Sequence, residues 1–209
     1  MTQNPSKIVV GVILAAGASS RMGCPKALIP MQDGSLTFLE HLTAVLSEGG
    51  CSQLICVAGC HVSEIASELP ENVLLARNPH WQRGQLSSVK TGLAAALAFR
   101  PSRIVMHLVD YPLIVSRDVQ AVLSAEAVDV PLAVAGWNGV SGHPVSLSPE
   151  LARRVLQDAE SVSFRDSLAR LAPERGRRIF GASKGTILTA NTPEELAALG
   201  LARGNSALK

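Results

Sequence analysis

The chain has 209 residues, of which 47% are apolar and only 3% aromatic, and its formal net charge is +2. That length and apolar share suffice for one α/β domain over residues 1–209 with an aliphatic core, with loose ends expected at 1–6 and 201–209. The charge is too small for a nucleic-acid surface, and no apolar run is long enough to span a bilayer, so neither partner is expected.

In chain order, the β-branched run Ile8-Val9-Val10-Gly11-Val12-Ile13-Leu14 reads as a strand buried on both faces. A loop of small residues and glycines continues to Lys26. A helix follows, capped by Ser35 or Thr37, with Glu40 placed to complete a capping box behind Thr37. Phe38, Leu39, Leu42, Val45 and Leu46 form its apolar stripe, and Gly49-Gly50 ends it. Further strands are expected at residues 53–58, 73–76, 103–109 and 130–137, with extended chain at 143–147. Helices are expected at 61–69, 88–99, 116–127, 149–156 and 163–171. Short strands at 178–180 and 187–188 precede a last helix with Thr192 as N-cap and Pro193 at its first position. Asn138-Gly139 and Ser141-Gly142 read as turns. Strand and helix alternate through the first 127 residues, which implies right-handed crossovers and a three-layer α/β fold. Its central sheet would be mostly parallel, with helices on both faces. Ligands in such sheets sit beyond the carboxyl ends of strands.

Two candidate elements lie at such ends. The loop Ala15-Ala16-Gly17-Ala18-Ser19-Ser20-Arg21-Met22-Gly23-Cys24-Pro25-Lys26 offers close backbone approach, exposed N–H groups and two cations, Arg21 and Lys26. A guanidinium fork and a point charge together suit a polyphosphate. It is neither a P-loop nor a G-x-G-x-x-G fingerprint. Asp110 closes the strand Val105-Met106-His107-Leu108-Val109. A carboxylate there suits Mg²⁺, which takes one or two carboxylates plus phosphate oxygens; Asp is also a common opener of turns before proline. His107 reads as a core histidine. Ser87 and Ser88 read as helix caps; for Ser88 a place facing an anion at the helix N-terminus is an equal reading.

Of the four cysteines, Cys51, Cys56 and Cys60-His61 lie close together, but without C-x-x-C spacing. Reduced thiols are expected for them and for Cys24. The cluster Arg175, Arg177 and Arg178 reads as solvated surface. Lys7 and the apolar run after it imitate a signal peptide, yet cleavage near Ala16 or Ala18 would remove the loop, so a cytoplasmic protein is expected.

The stretch from Leu14 to Lys26 resembles, residue for residue, the L-A-[AG]-G-x-S-x-R-M-G-x-x-K signature of the molybdenum-cofactor-type nucleotidyltransferases. Asn78-Pro79-x-Trp81-x-x-Gly84-x-x-Ser87-Ser88 resembles a second block of that family, and Leu108-Val109-Asp110-Tyr111-Pro112 its metal-binding L-x-D-x-P segment. Gly142-His143-Pro144-Val145 resembles a block of the molybdopterin cytidylyltransferase subgroup. The resemblance implies a Rossmann-like fold of the nucleotide-diphospho-sugar transferase kind. It also implies nucleotide contacts from Leu14, Ala15, Ala16, Gly17, Ser19, Arg21, Lys26, Asn78, Gly84, Ser87 and Ser88, with Mg²⁺ on Asp110. His143 would contact the acceptor, or be a surface histidine fixed by its proline. Relatives end in D-x-D-T-P-E-D; here the segment reads Thr189-Ala190-Asn191-Thr192-Pro193-Glu194-Glu195, with both aspartates replaced, by Thr189 and Asn191.

The implied activity is transfer of a nucleotidyl group from CTP to the phosphate of a molybdopterin-type acceptor, with a molybdenum hydroxylase as downstream partner. Arg21, Lys26 and Asp110 would be catalytic, through positioning and charge neutralisation. Two alternatives stand beside it: transfer to a sugar 1-phosphate, and a non-catalytic accessory protein that binds and delivers the cofactor.

Overall fold

A computed structural model describes residues 7–124, 130–159, 162–173 and 183–201, and the backbone alone of 176–180. Strands β1 (Val9–Ala15), β2 (Gln53–Ala58), β3 (Val73–Arg77), β4 (Arg103–Leu108), β5 (Leu132–Trp137), β6 (Val140–Leu147) and β7 (Gly176–Phe180) form a seven-stranded sheet in the order β3-β2-β1-β4-β6-β5-β7. β1 pairs in parallel with β2 and β4, and β2 with β3, as the alternation predicts. β6 runs antiparallel to both β4 and β5, and β5 is parallel to β7. The reversal comes from the Asn138-Gly139 turn, whose residues have φ of 46° and 82°. Those are the paired positive angles of a tight hairpin turn.

The helices are α1 (Phe38–Glu48), α2 (Val62–Ser67), α3 (Gln85–Leu97), α4 (Ser116–Leu123), α5 (Pro149–Leu156), α6 (Phe164–Leu171) and α7 (Pro193–Ala198). They divide between two cores. On one face Val9 and Ile13 of β1 pack with Leu39 and Leu42 of α1 and Leu196 of α7; on the other, Val10, Val12 and Leu14 pack with Leu93 of α3 and Val155 of α5. Alternate residues of β1 thus enter opposite cores, which is why that strand reads as unbroken apolar sequence. Phe38, Leu39, Leu42 and Leu46 are fully buried, each worth ~1.5–3 kcal/mol relative to exposure. No helix among the described residues is long and apolar enough to cross a membrane.

The capping box at Thr37 is present: Glu40 N–H donates to Thr37 Oγ1 at 3.2 Å and Thr37 N–H to Glu40 Oε2 at 2.7 Å. Thr192 caps α7 by accepting from Glu195 N–H at 3.2 Å. Four local expectations differ. Ser141 and Gly142, read as a turn, lie within β6, where Ser141 pairs with Gly136 of β5. α3 starts at Gln85 behind Gly84, so Ser87 and Ser88 lie inside its first turn and do not cap it. Val115, not Ser116, is the residue before α4, and Asp118 Oδ2 takes its N–H at 2.9 Å. Residues 187–188 are not a strand. Lys184–Ile187 is a 3-10 turn, held where two backbones touch: a Cβ on Gly185 would sit 1.9 Å from Leu113 O, and one on Gly142 1.8 Å from Thr186 O. Tertiary contact overrides the apolar β-branched pattern there. The ends expected to be loose at 1–6 and after Leu201, the end of the helix expected to reach 127, and Arg175 lie outside the described residues. So do the side chains of Arg177 and Arg178.

Candidate functional site

The carboxyl ends of β1 and β4 are neighbours in the sheet, so the loop after one and the acid after the other meet. Between them is a cavity of about 410 Å³. Leu14, Ala15, Ala16, Gly17, Ser19 and Lys26 line it from the first loop; Asp110 lines it from β4, and Gly84 and Ser88 from the start of α3. Lys26 Nζ is 3.9 Å from Asp110 Oδ2 and donates to Asn191 Oδ1 at 2.6 Å. Asn191 also hydrogen-bonds the Asp110 carboxylate through its side chain.

Burial sets the electrostatics of this pair. It pushes the Lys26 pKa below its ordinary value, a fall opposed by Asp110 and furthered by Arg21. It raises the Asp110 pKa, and Lys26 opposes that rise. Each charge thus offsets part of the other's loss of solvation, and an incoming polyanion would add to the stabilisation of charged Lys26.

Four expected residues stand elsewhere. Arg21 is exposed and outside the cavity lining. Asn78 is buried behind the wall, where its Nδ2 donates to Ser87 Oγ at 2.9 Å and Ser88 Oγ at 3.0 Å and its Oδ1 accepts from His80 N–H. Ser87 turns back to the His80 carbonyl at 3.0 Å. His143 is on β6, its ring centroid 5.0 Å from that of Tyr111 and 6.0 Å from that of His107. It is not a free surface residue: burial pushes its pKa down to about 4, and its Nδ1 has no partner. His107 is fully buried, as a core histidine should be; its Nε2 lies 3.0 Å from Tyr111 O, and burial takes its pKa down to about 3.

Sequence reading missed His61, Trp81, Gln82 and Gln85, all of which line the cavity. Trp81 stood inside a quoted motif, whereas His61 drew notice only as a neighbour of Cys60. Among the described residues no three His, Cys, Asp or Glu side chains gather to hold a metal, and all four cysteines are free. The buried thiols of Cys51 and Cys56 are pushed up to about 12 by loss of solvation.

The segment carrying Asn191 is fastened at both ends. Asp118, fully buried, accepts from Ser183 N–H at 2.7 Å and Ser183 Oγ at 2.6 Å. Ala190 N–H donates to Asp110 O at 2.8 Å, and Asn191 N–H to Glu195 Oε2 at 2.7 Å.

Comparison with known proteins decides which family the chain belongs to. The sequence profile of the MobA-like NTP transferase domain matches residues 11–182. The chain belongs to the MobA-like NTP transferase family. It is a nucleotidyltransferase, and the matched span contains the loop, Asp110 and the α3 wall. Among curated relatives, the molybdenum cofactor cytidylyltransferase of Escherichia coli K12 is 28% identical, with 75% of this chain and 79% of that one covered. The nicotine blue oxidoreductase of Paenarthrobacter nicotinovorans is 32% identical, covering 75% and 80%. Among solved structures, Rv0371c of Mycobacterium tuberculosis H37Rv superposes with a TM-score of 0.76 at 22% identity, over 92% of this chain and 97% of the other. That likeness supports the three-layer α/β fold expected from the alternation of strands and helices.

Proposed function

We propose that this nucleotidyltransferase moves a cytidylyl group from CTP to the phosphate of a molybdopterin-type acceptor, acting in the cytoplasm as one domain over residues 1–209. A molybdenum hydroxylase would receive the product. The observation that carries the reading is the meeting of Lys26 and Asp110 at one cavity, walled by the small-residue loop Leu14–Ser19. The name of the E. coli relative supports the choice of CTP and acceptor.

In this reading an oxygen of the acceptor phosphate attacks the α-phosphorus. The α–β anhydride bond breaks, and pyrophosphate leaves with the electron pair. The acceptor phosphate is already ionised near pH 7, so no protein nucleophile or base is needed. The chain positions the reactants and neutralises charge. Lys26 would turn from Asn191 to the phosphates, and Arg21, exposed at the rim, would close on the leaving pyrophosphate. Gly17, Ser19, Gly84 and Ser88 would form the nucleotide wall, with Asn78 and Ser87 holding Ser88 in place. His143, with Tyr111, stands on the β6 side of Asp110, where the acceptor would approach.

A divalent cation, Mg²⁺ in our reading, fits the oxygen donors present if it brings most of its ligands from water and phosphate. Asp110 would hold it, with the amide oxygen of Asn191 beside it once Lys26 has moved. Bound there, it would supply Lewis-acid stabilisation of phosphate charge.

The test is pyrophosphate release with each of CTP, GTP, ATP and UTP, with Mg²⁺ and a molybdopterin-type acceptor. Selective turnover of CTP is expected. A preference for GTP overturns the cytidylyl assignment, turnover of a sugar 1-phosphate in place of the cofactor overturns the acceptor, and cofactor binding without pyrophosphate points to a carrier.

A further inference from the structure

The loop after β1 is tied down from the β2 side. Cys60 N–H donates to Ala16 O at 3.1 Å. His61 Nε2 is 2.9 Å from Ala18 O, and His61 Nδ1 is 3.2 Å from Glu64 Oε1. A carbonyl oxygen and a carboxylate only accept, so the ring nitrogens facing them serve as donors. Both contacts are satisfied together only by the doubly protonated ring. In keeping with that, the His61 pKa is raised, first by the Ala18 carbonyl and then by Glu64.

The tie has a geometric result. In a trans peptide the carbonyl of one residue and the N–H of the next point in opposite directions. With the Ala16 and Ala18 carbonyls drawn toward the β2–α2 turn, the N–H groups of Gly17 and Ser19 are turned away from β2. The strand on the other side of β1 is β4, which leads to Asp110. Both residues line the cavity, and the space around Gly17 is open. Ser19 has φ of 50°, a left-handed angle that helps successive N–H groups form an anion-binding concavity. Its Oγ accepts from Lys26 N–H at 3.3 Å, so the same turn also fixes the start of the lysine.

We propose that His61 is a positioning residue for polyphosphate: by gripping the Ala18 carbonyl, with Cys60 N–H gripping that of Ala16, it aims the Ser19 and Gly17 amides at the phosphates of the bound nucleotide. This deepens the reading of the cavity as a triphosphate site and rests on it. Because these amides meet the phosphates in the ground state and the transition state alike, losing the grip raises KM more than it lowers kcat.

The experiment compares the parent with His61→Ala and His61→Gln. It measures calorimetric binding of inorganic pyrophosphate and of CTP with Mg²⁺, then KM and kcat for CTP. His61→Ala should weaken both ligands about tenfold, the ~1.4 kcal/mol of one such contact, with kcat within about threefold of the parent. His61→Gln, which restores a neutral N–H donor, should recover most of the loss. Equal binding by the parent and His61→Ala overturns the inference, as does a kcat loss with unchanged KM, or a loss that His61→Gln does not reverse. A parent that binds neither pyrophosphate nor CTP instead removes the triphosphate reading itself.

Discussion

The halves of this molecule on either side of the β4–β6 seam reach one site by different means. From β1 to β4 the chain is regular: buried parallel strands deliver Lys26 and Asp110 to one edge on short loops. From β5 onward it is irregular near the site, where residues 183–192 are held by Asp118, by backbone contacts at Gly142 and Gly185, and by Glu195. The regular half brings the charges. The irregular half brings Asn191, which decides what those charges touch when no substrate is present. Chemistry in this fold is thus separable from its surroundings, and the separation can be tested.

The largest effect should come from the charges themselves. Asp110→Ala or Lys26→Ala should each lower pyrophosphate release by ~10²–10³, by analogy with the loss of a positioned oxyanion donor, with little change in melting temperature. Because the two act on one ligand, the double variant should fall well short of the product of the single losses. A variant of either residue that turns over like the parent would break the assignment of chemistry to the first half.

Next comes the seam. His107 on β4 and His143 on β6 are neutral in the folded protein, with pKa values lowered to about 3 and about 4. Unfolded, each titrates near ~6.5. Below that value the unfolded chain binds more protons than the folded one, so stability falls as pH drops from about 6.5 toward 4. At pH 5 each histidine should cost ~2 kcal/mol relative to neutral pH. Denaturant midpoints across pH 7 to 5 measure this, and a variant lacking both rings should show a flatter profile.

Smaller again is the fastening of the irregular segment. Gly185→Ala, which would set a methyl carbon 1.9 Å from Leu113 O, should destabilise by ~1–3 kcal/mol. It should also lower activity at temperatures well below melting, because the displaced segment carries Asn191. Smallest of all is Thr37→Ala. It removes one half of the α1 capping box, should cost ~1 kcal/mol in urea titration, and should leave turnover unchanged, since α1 does not line the cavity.

The two halves were also unequally legible in the sequence. β1, the Thr37–Glu40 box and the Thr192-Pro193 helix start are written in adjacent residues, and so is the loop from Leu14 to Lys26. Asp110 could be placed beside that loop because strand ends on one edge follow from parallel order. What sequence hid depends on distant partners. Asp118 and Ser183 are 65 residues apart, and no local pattern joins them. The start of α3 was misplaced because Gly84, at φ of 104°, opens the helix with no side-chain cap to announce it. His61 went unread because its partner is a backbone carbonyl 43 residues earlier, and carbonyls have no letter in a sequence.

The reversed direction of β6 has one more consequence. Register pairs Met106 with Val145 and Gly136 with Ser141, so the tip joining β5 to β6 emerges at the same rim as Asp110. A hairpin tip tolerates insertions without disturbing the ladder behind it. Lengthening the chain between Asn138 and Gly139 would therefore hang new groups beside the cavity while leaving every strand in place, which makes that turn a natural graft point for changing what this scaffold accepts.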